Sequence, residues 1–399
     1  MSATGSGVRA TTGPVVAEGE FGPLEPIRYQ RPELPPLDDI ARYYALAEDA
    51  RFYSNGGPCH QRLAARLADY LGDVTVVPVS NCTVGLMAAL REVCGEPVAG
   101  RNLVAVPSLT FTATACAIRW AGFEPLFIDV EPDSWQLSPA ALAAALDVRP
   151  GEVAGVMGCS TFGTAPPEAV RDGWREVAAA NGAPLLLDSA AGFGARDERG
   201  RRIGALGETE VFSFHATKPF AIGEGGAVAT GDPELARRLA QVINFGIDPT
   251  SRTSMTAGFN AKLSELHCAA GLAMLDRFDD ALARRRATAA GLRERFRALP
   301  LAYQSGAESS TWQVFQLAVP DAARRARVLE LAQAHHIEVR AGFDPPLHRH
   351  PAFADAPVSG PLAVTDDLAA RMLTLPMANS LGPRQVDRMT TLMTMAFAG

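Results

Sequence analysis

Apolar positions recur along this chain at two spacings, and the spacings alternate. "HQRLAARLADYLG" (60–72) places apolar residues every three or four positions and stops at Gly72, the pattern of an amphipathic helix with a glycine end. "VTVVPVS" (74–80) follows as a short apolar run, the pattern of a buried strand. Helices are then predicted over "TVGLMAALREVCG" (83–95), "TATACAIRWAG" (112–122), "SPAALAAALDV" (138–148) and "PEAVRDGWREVAAANG" (167–182). Between them, strands are predicted over "NLVAVP" (102–107), "PLFIDV" (125–130), "VAGVMGC" (153–159) and "PLLLD" (184–188). Strands that are apolar throughout, alternating with helices, predict an α/β fold with a mostly parallel sheet covered on both faces. Ligands of such sheets sit beyond the carboxyl ends of the strands. The rhythm breaks over 190–230, where glycine and short strands dominate.

A second region begins near residue 263. "KLSELHCAAGLAMLDRFDDALARRRATAAGLRERFRAL" (262–299) reads as a nearly continuous helix. A strand over 312–319, a helix over 321–335, a strand over 337–342 and a last helix over 382–399 follow. The expected organisation is a leader and arm over 1–60 with one helix near 38–49, a large α/β domain over 61–262, and a smaller C-terminal α+β domain over 263–399.

Composition narrows the function classes. The chain has 399 residues, 47% hydrophobic and 20% charged, which is ordinary for a soluble globular protein. A net charge of −7 provides no broad basic field, so nucleic acid is not an expected partner. No apolar run is long enough to span a bilayer, and the first twenty residues lack the apolar core of a signal peptide. Six scattered cysteines without a C-x-x-C spacing read as reduced thiols, and the expected location is cytoplasmic. No third ligand accompanies His348 and His350, which could share one side of a strand, and no metal is expected. Trp120, Trp135, Trp174 and Trp312 read as packing residues, and "RRRATAAGLRERFR" as a solvated helix face.

Two residue types carry the candidate chemistry. Of 37 basic side chains only Lys218 and Lys262 are lysines, all others being arginines. An amine can lose its proton and attack a carbonyl, whereas a guanidinium stays charged. Lys218 lies among Ser213, His215 and Thr217. Asp188 ends an apolar strand, either as a turn former or as a fixed negative charge facing a cationic ligand. A strand-end Asp and one such lysine are what pyridoxal phosphate needs, the lysine holding its aldehyde and the Asp keeping its ring nitrogen protonated. Ser80, Asn81, Cys82 and Thr83 lie between a strand and a helix, where free N–H groups would suit a phosphate or an ordinary helix cap. There is no P-loop spacing and no strand followed by G-x-G-x-x-G. "GEGG" (223–226) reads as a turn whose backbone needs glycine.

"SNCT", "PSLTFTATACAIRWAG", "LLLDSAAGFGA", "SFHATKPFAIGEGGAVAT", "NFGI", "GFNAKLSELHCAAGLAML" and "PPLHRHPAF" occur in that order. On these segments the chain resembles the pyridoxal-phosphate-dependent sugar aminotransferases of the DegT/DnrJ/StrS group, which have fold type I. The resemblance runs from about residue 30 to the end. It implies that Lys218 is the Schiff-base lysine and that Asp188 pairs with the pyridine nitrogen. Phe111 would stack on the cofactor, and Cys82 (by its backbone), Thr83 and Ser213 would hold the phosphate. Asn260 would reach a phosphate in the neighbouring subunit, making the protein a homodimer with shared active sites, and His348 would lie near the substrate cleft. The implied reaction moves an amino group from an amino acid, L-glutamate foremost, to a nucleotide-linked keto-deoxysugar. A non-sugar ketone such as a cyclitol, or a silent binding role on the same fold, are the other expectations. The group usually has Gln or His three residues after the Asp, against the phenolic oxygen of the cofactor. Here that residue is Ala191, and Ser189 or a water would have to substitute.

Overall fold

The computed structural model describes residues 25–398, so the first 24 residues of the leader and arm expected over 1–60 lie outside the described residues. Twelve α-helices and ten strands occur among the described residues. Helices α1 (Leu37–Ala50) and α2 (Pro58–Leu71) precede β1 (Thr75–Val79), and Gly72 closes α2 as its pattern predicts. Then follow α3 (Cys82–Cys94), β2 (Leu103–Pro107), α4 (Thr112–Trp120), β3 (Glu124–Ile128), α5 (Pro139–Asp147), β4 (Val153–Cys159), α6 (Glu168–Ala180) and β5 (Leu185–Asp188). Strands β6 (Thr209–Ser213) and β7 (Gly226–Thr230) occupy the glycine-rich stretch. Helix α7 (Pro233–Val242) comes next and was not anticipated, although Asp232 before Pro233 is a helix-start signal. The Asp232 carboxylate accepts the Glu234 N–H.

The seven strands form one sheet in the order β1-β7-β6-β5-β4-β2-β3. The pairs from β6 through β3 are parallel, while β7 runs antiparallel to both β1 and β6. Side chains alternate between the two faces. Val104, Val106, Leu186 and Val211 pack under the α3, α4 and α7 layer, whereas Ala105, Leu126, Val156 and Leu187 pack against α5 and α6. The all-apolar strands are therefore buried on both faces, which explains why they lack polar alternation. Trp174 is fully buried and donates from Nε1 to Leu137 O at 2.7 Å. Trp135 and Trp312 are also buried, while Trp120 is exposed.

The expected continuous helix over 262–299 is two helices, α8 (Glu265–Leu275) and α9 (Phe278–Arg295). The chain turns at Asp276, whose carboxylate receives Arg42 Nη2 at 3.0 Å, Tyr43 Oη at 2.7 Å and Arg66 Nη1 at 2.9 Å. Buried Cys268 and Leu272 of α8 share a core with Leu63 and Leu67 of α2. Helix α8 thus packs with the large sheet, while Ala289 and Leu292 of α9 join the core of the second region. The arginine run on α9 is not wholly solvated. Arg285 is buried, and Arg286 is half-buried and donates to Ser309 O and Ser310 O.

The remainder comprises β8 (Phe315–Ala318), α10 (Ala322–Ala334), β9 (Arg340–Ala341), α11 (Ala363–Arg371), β10 (Met372–Leu375) and α12 (Pro383–Phe397). The second sheet is antiparallel with β10 in its centre, a strand that the periodicity did not reveal. The arm joins this region: Ile27 N–H donates to His336 O and Ile27 O accepts from Glu338 N–H, both at 2.9 Å. His348 and His350 lie in tight turns rather than on a strand. No helix among the described residues is long and apolar enough to cross a membrane.

Candidate active site

Parallel strands end together, so their carboxyl ends bring distant residues side by side. Asp188 lies in register between Cys159 of β4 and Val211 of β6. Its Oδ2 accepts from Thr114 Oγ1 at 2.7 Å and its Oδ1 from the Ala190 N–H at 3.1 Å. Burial pushes this carboxyl above its usual range, opposed by those two hydrogen bonds and by Lys218. Thr114, on the first turn of α4, is the partner that sequence reasoning missed. Its place three residues after Phe111, on the side of the helix facing the sheet, was the available signal.

Lys218 sits in the turn after β6, which Phe214 N–H to Gly225 O (2.8 Å) and Ile222 N–H to Phe214 O (2.9 Å) close. Burial holds the Lys218 amine below its usual range, with Cys82 and Asp188 opposing. Burial also keeps the Cys82 thiol well above its usual range and hence neutral, so Asp188 is the anion that matters here. A buried amine that gives up its proton readily is the chemical form that attacks an aldehyde. Lys262, the other lysine, instead lies with Nζ 4.6 Å from the centre of the Phe245 ring.

The start of α3 lies beside both residues. Asn81 caps the helix by accepting Val84 N–H at 3.0 Å. The N–H groups of Cys82 and Thr83 have no acceptor within their own helix, as at every helix start. A Cβ on Gly226 would lie 2.8 Å from Cys82 N and 2.7 Å from Phe212 O, so only glycine lets β7 pass this close. Ser213 is paired in register with Gly226. The structure therefore gathers Cys82, Thr83, Ser213, Asp188 and Lys218 at one end of the sheet.

The other expected residues take distinct places. Phe111 is the N-cap residue of α4 and is 63% exposed, a large apolar ring turned to solvent. Asn260 is exposed, and its neighbour Ala261 accepts the Ser80 N–H at 2.7 Å, beside the turn that opens α3. His348 pairs through Nδ1 with Ser108 Oγ at 2.8 Å, and its Nε2 is 3.3 Å from Asp366 Oδ1. Both ring nitrogens are thus occupied, and burial lowers the affinity of the ring for a proton. Ser189 does not substitute at Ala191. Its side chain is on the reverse face, with Oγ 2.8 Å from Ser160 Oγ and 2.5 Å from Glu210 Oε1.

Glu210 is buried, also accepts the Gly204 N–H, and is pushed up to about 7 by burial, Ser189 opposing and Glu208 adding. The folded chain holds this proton more tightly than the unfolded one. Its stabilisation is therefore complete below the ordinary carboxyl range and is lost as pH rises through about 7. Glu210→Gln cannot ionise, yet offers an acceptor to Gly204 and a donor to Ser189. Urea unfolding at pH 8 is expected to show the variant more stable by on the order of 1–3 kcal/mol, the gap closing toward pH 5. A gap of equal size at both pH values would exclude Glu210 as its source.

The gathered groups fit pyridoxal phosphate: an amine of lowered proton affinity, a buried carboxylate held on two sides, and a helix start for a dianion. A wider open groove of about 620 Å³ touches Leu185, Thr209 and Thr230, at the opposite end of the strands from this chemistry.

This fold and this set of groups define a pyridoxal-phosphate-dependent aminotransferase of fold type I. The chain belongs to the DegT/DnrJ/EryC1/StrS aminotransferase family, whose model matches residues 38–394. Protein Rv3402c of Mycobacterium tuberculosis is 37% identical over 389 residues, covering 96% of this chain and 93% of its own. The L-glutamine:scyllo-inosose aminotransferase of Streptomyces griseus is 32% identical over 305 residues, covering 73% of this chain and 69% of its own. Among solved structures, DesI in the presence of its TDP-sugar product superposes with a TM-score of 0.83 at 34% identity, covering 94% of each chain.

Proposed function

We propose that this enzyme transfers the amino group of L-glutamate to the keto carbon of a nucleotide-linked deoxyhexose, carbon 4 of a 4-keto-6-deoxy sugar first among the candidates. The observation that carries the reading is Lys218 beside Asp188 at the carboxyl edge of the sheet, in a chain 34% identical to DesI. When bound, pyridoxal phosphate supplies an aldehyde for the amine and a ring that accepts electrons. Lys218 Nζ would take a proton from the α-carbon of the amino acid as general base and, when the ketone is aminated, would deliver a proton to its keto carbon as general acid. Asp188 would keep a proton on the ring nitrogen, its carboxylate being oriented by Thr114 and the Ala190 N–H. The first-turn N–H groups of α3 and Ser213 would hold the phosphate, and Phe111, exposed at the start of α4, would supply an aromatic face for the ring. His348 acts through shape, because its bonds to Ser108 tie the 347–350 turn to the segment that leads into Phe111. Asn260, exposed beside the start of α3, completes the phosphate site of a second copy in a homodimer.

The relative that acts on scyllo-inosose favours a second reading, a cyclitol ketone with glutamine as donor. Supplying the purified enzyme with a TDP-4-keto-6-deoxyhexose or scyllo-inosose, each with glutamate or glutamine, separates the two. The first reading predicts amination of the sugar with kcat/KM at least about a hundredfold above that of the cyclitol. That ratio corresponds to nearly 3 kcal/mol of discrimination. Amination of the cyclitol alone would replace it with the second.

A further inference from the structure

We propose that Gln313 is the positioning residue for Lys218, its amide oxygen fixing the direction of Nζ and taking part in whether that nitrogen carries a proton. The inference deepens the reading of Lys218 as the cofactor-bearing residue and rests on it. Lys218 Nζ donates to Gln313 Oε1 at 3.3 Å, its one hydrogen bond among the described residues. Lys218 and Gln313 are far apart in sequence, and each belongs to a segment that the fold holds in place.

The segment carrying Gln313 is tied to the edge of the large sheet. Arg285 Nη1 donates to Trp312 O at 3.0 Å and Gln313 O at 3.5 Å. The Thr311 N–H donates to Gly163 O at 3.1 Å, and Thr311 Oγ1 donates to Ala191 O at 2.7 Å. A Cβ on Gly163 would lie 2.2 Å from Thr311 Oγ1 and 2.6 Å from Ala191 O, so three chain segments meet there without spare volume. Trp312 is buried and stacks on Phe315 with ring centres 5.3 Å apart. The Gln313 side chain is therefore delivered to Lys218 by a segment with little freedom. Lys218 and Gln313 line one small cavity together with Arg285 and residues of the arm.

An amide oxygen facing an amine interacts more strongly with the ammonium than with the neutral form, so it favours protonation. Burial acts in the opposite sense on Lys218. The other groups facing Nζ or lining its cavity are Asp188 and Cys82 from the sheet side, Arg31 and Glu33 from the arm, and Arg285 from α9. Gln313 is the one that makes a hydrogen bond to it. Removing the amide oxygen should lower the affinity of Nζ for its proton, and a carboxylate in its place should raise it.

The test uses Gln313→Leu and Gln313→Glu, which are close to isosteric and place opposite demands on the amine. In the cofactor-free full chain, the rate of Lys218 acetylation by acetic anhydride is followed against pH by peptide mass. The midpoint should fall by roughly half to one pH unit in the Leu variant and rise by a similar amount in the Glu variant. Midpoints unchanged in both, or moved only by the Glu charge, would overturn the proposal. Borohydride reduction of each protein loaded with pyridoxal phosphate tests the parent reading separately. Shifted midpoints without a pyridoxyl group on Lys218 would retain Gln313 as its partner and remove the cofactor role.

Discussion

Lys218→Arg is expected to bind pyridoxal phosphate without covalent attachment and to lose at least about a thousandfold in turnover. The estimate follows from removing both a nucleophile and a general acid–base. Arginine is similar in length but stays protonated, so it can neither form the imine nor take up a proton, and both functions are lost together. The native amine suits the task because burial favours its neutral form while the neighbouring Asp188 carboxylate limits that effect. The check is single-turnover absorbance with glutamate, alongside urea unfolding to confirm a native fold. Turnover within tenfold of the unaltered enzyme would require another residue to move the proton.

Asp188→Ala carries the second large effect. Its carboxylate is buried, is held by Thr114 Oγ1 at 2.7 Å and by the Ala190 N–H, and lies at the end of the strand beside β6. A close ion pair in such surroundings is expected to supply several kcal/mol to the transition state. Its loss should lower the rate of the glutamate half-reaction by on the order of a hundred- to a thousandfold. Stability should change little by comparison, because burial already works against the charged carboxyl in the folded chain. Asp188→Glu should retain more activity than Asp188→Ala. Rapid-mixing measurements of the half-reaction check both, and a near-normal rate in Asp188→Ala would remove this residue from the chemistry.

The rarity of lysine pointed to Lys218 before any fold was known, and the alternating apolar runs outlined the sheet, because strands buried on both faces leave little room for polar residues. Asp188 was legible as the last residue of such a run. Thr114 and Gln313 were not legible in the same way. Each acts on a residue far along the chain, and only closure of the sheet edge and docking of the 309–313 segment bring them together. Strand β10 escaped notice because its short apolar run follows directly on α11. The break between α8 and α9 depends on Asp276 meeting Arg42, Tyr43 and Arg66, which no local period encodes. Ser189 illustrates the reverse case. Next to Asp188 in sequence, it faces the other side of the sheet, because neighbouring side chains along an extended chain point in opposite directions.

The central claim is that Lys218 bears the cofactor. Reducing the enzyme loaded with pyridoxal phosphate with borohydride and mapping its peptides by mass tests it most directly, since the chain offers only two lysines. The account predicts a pyridoxyl phosphate group on the peptide containing Lys218 and none on that containing Lys262. Labelling of Lys262 alone, or of neither lysine, would contradict it.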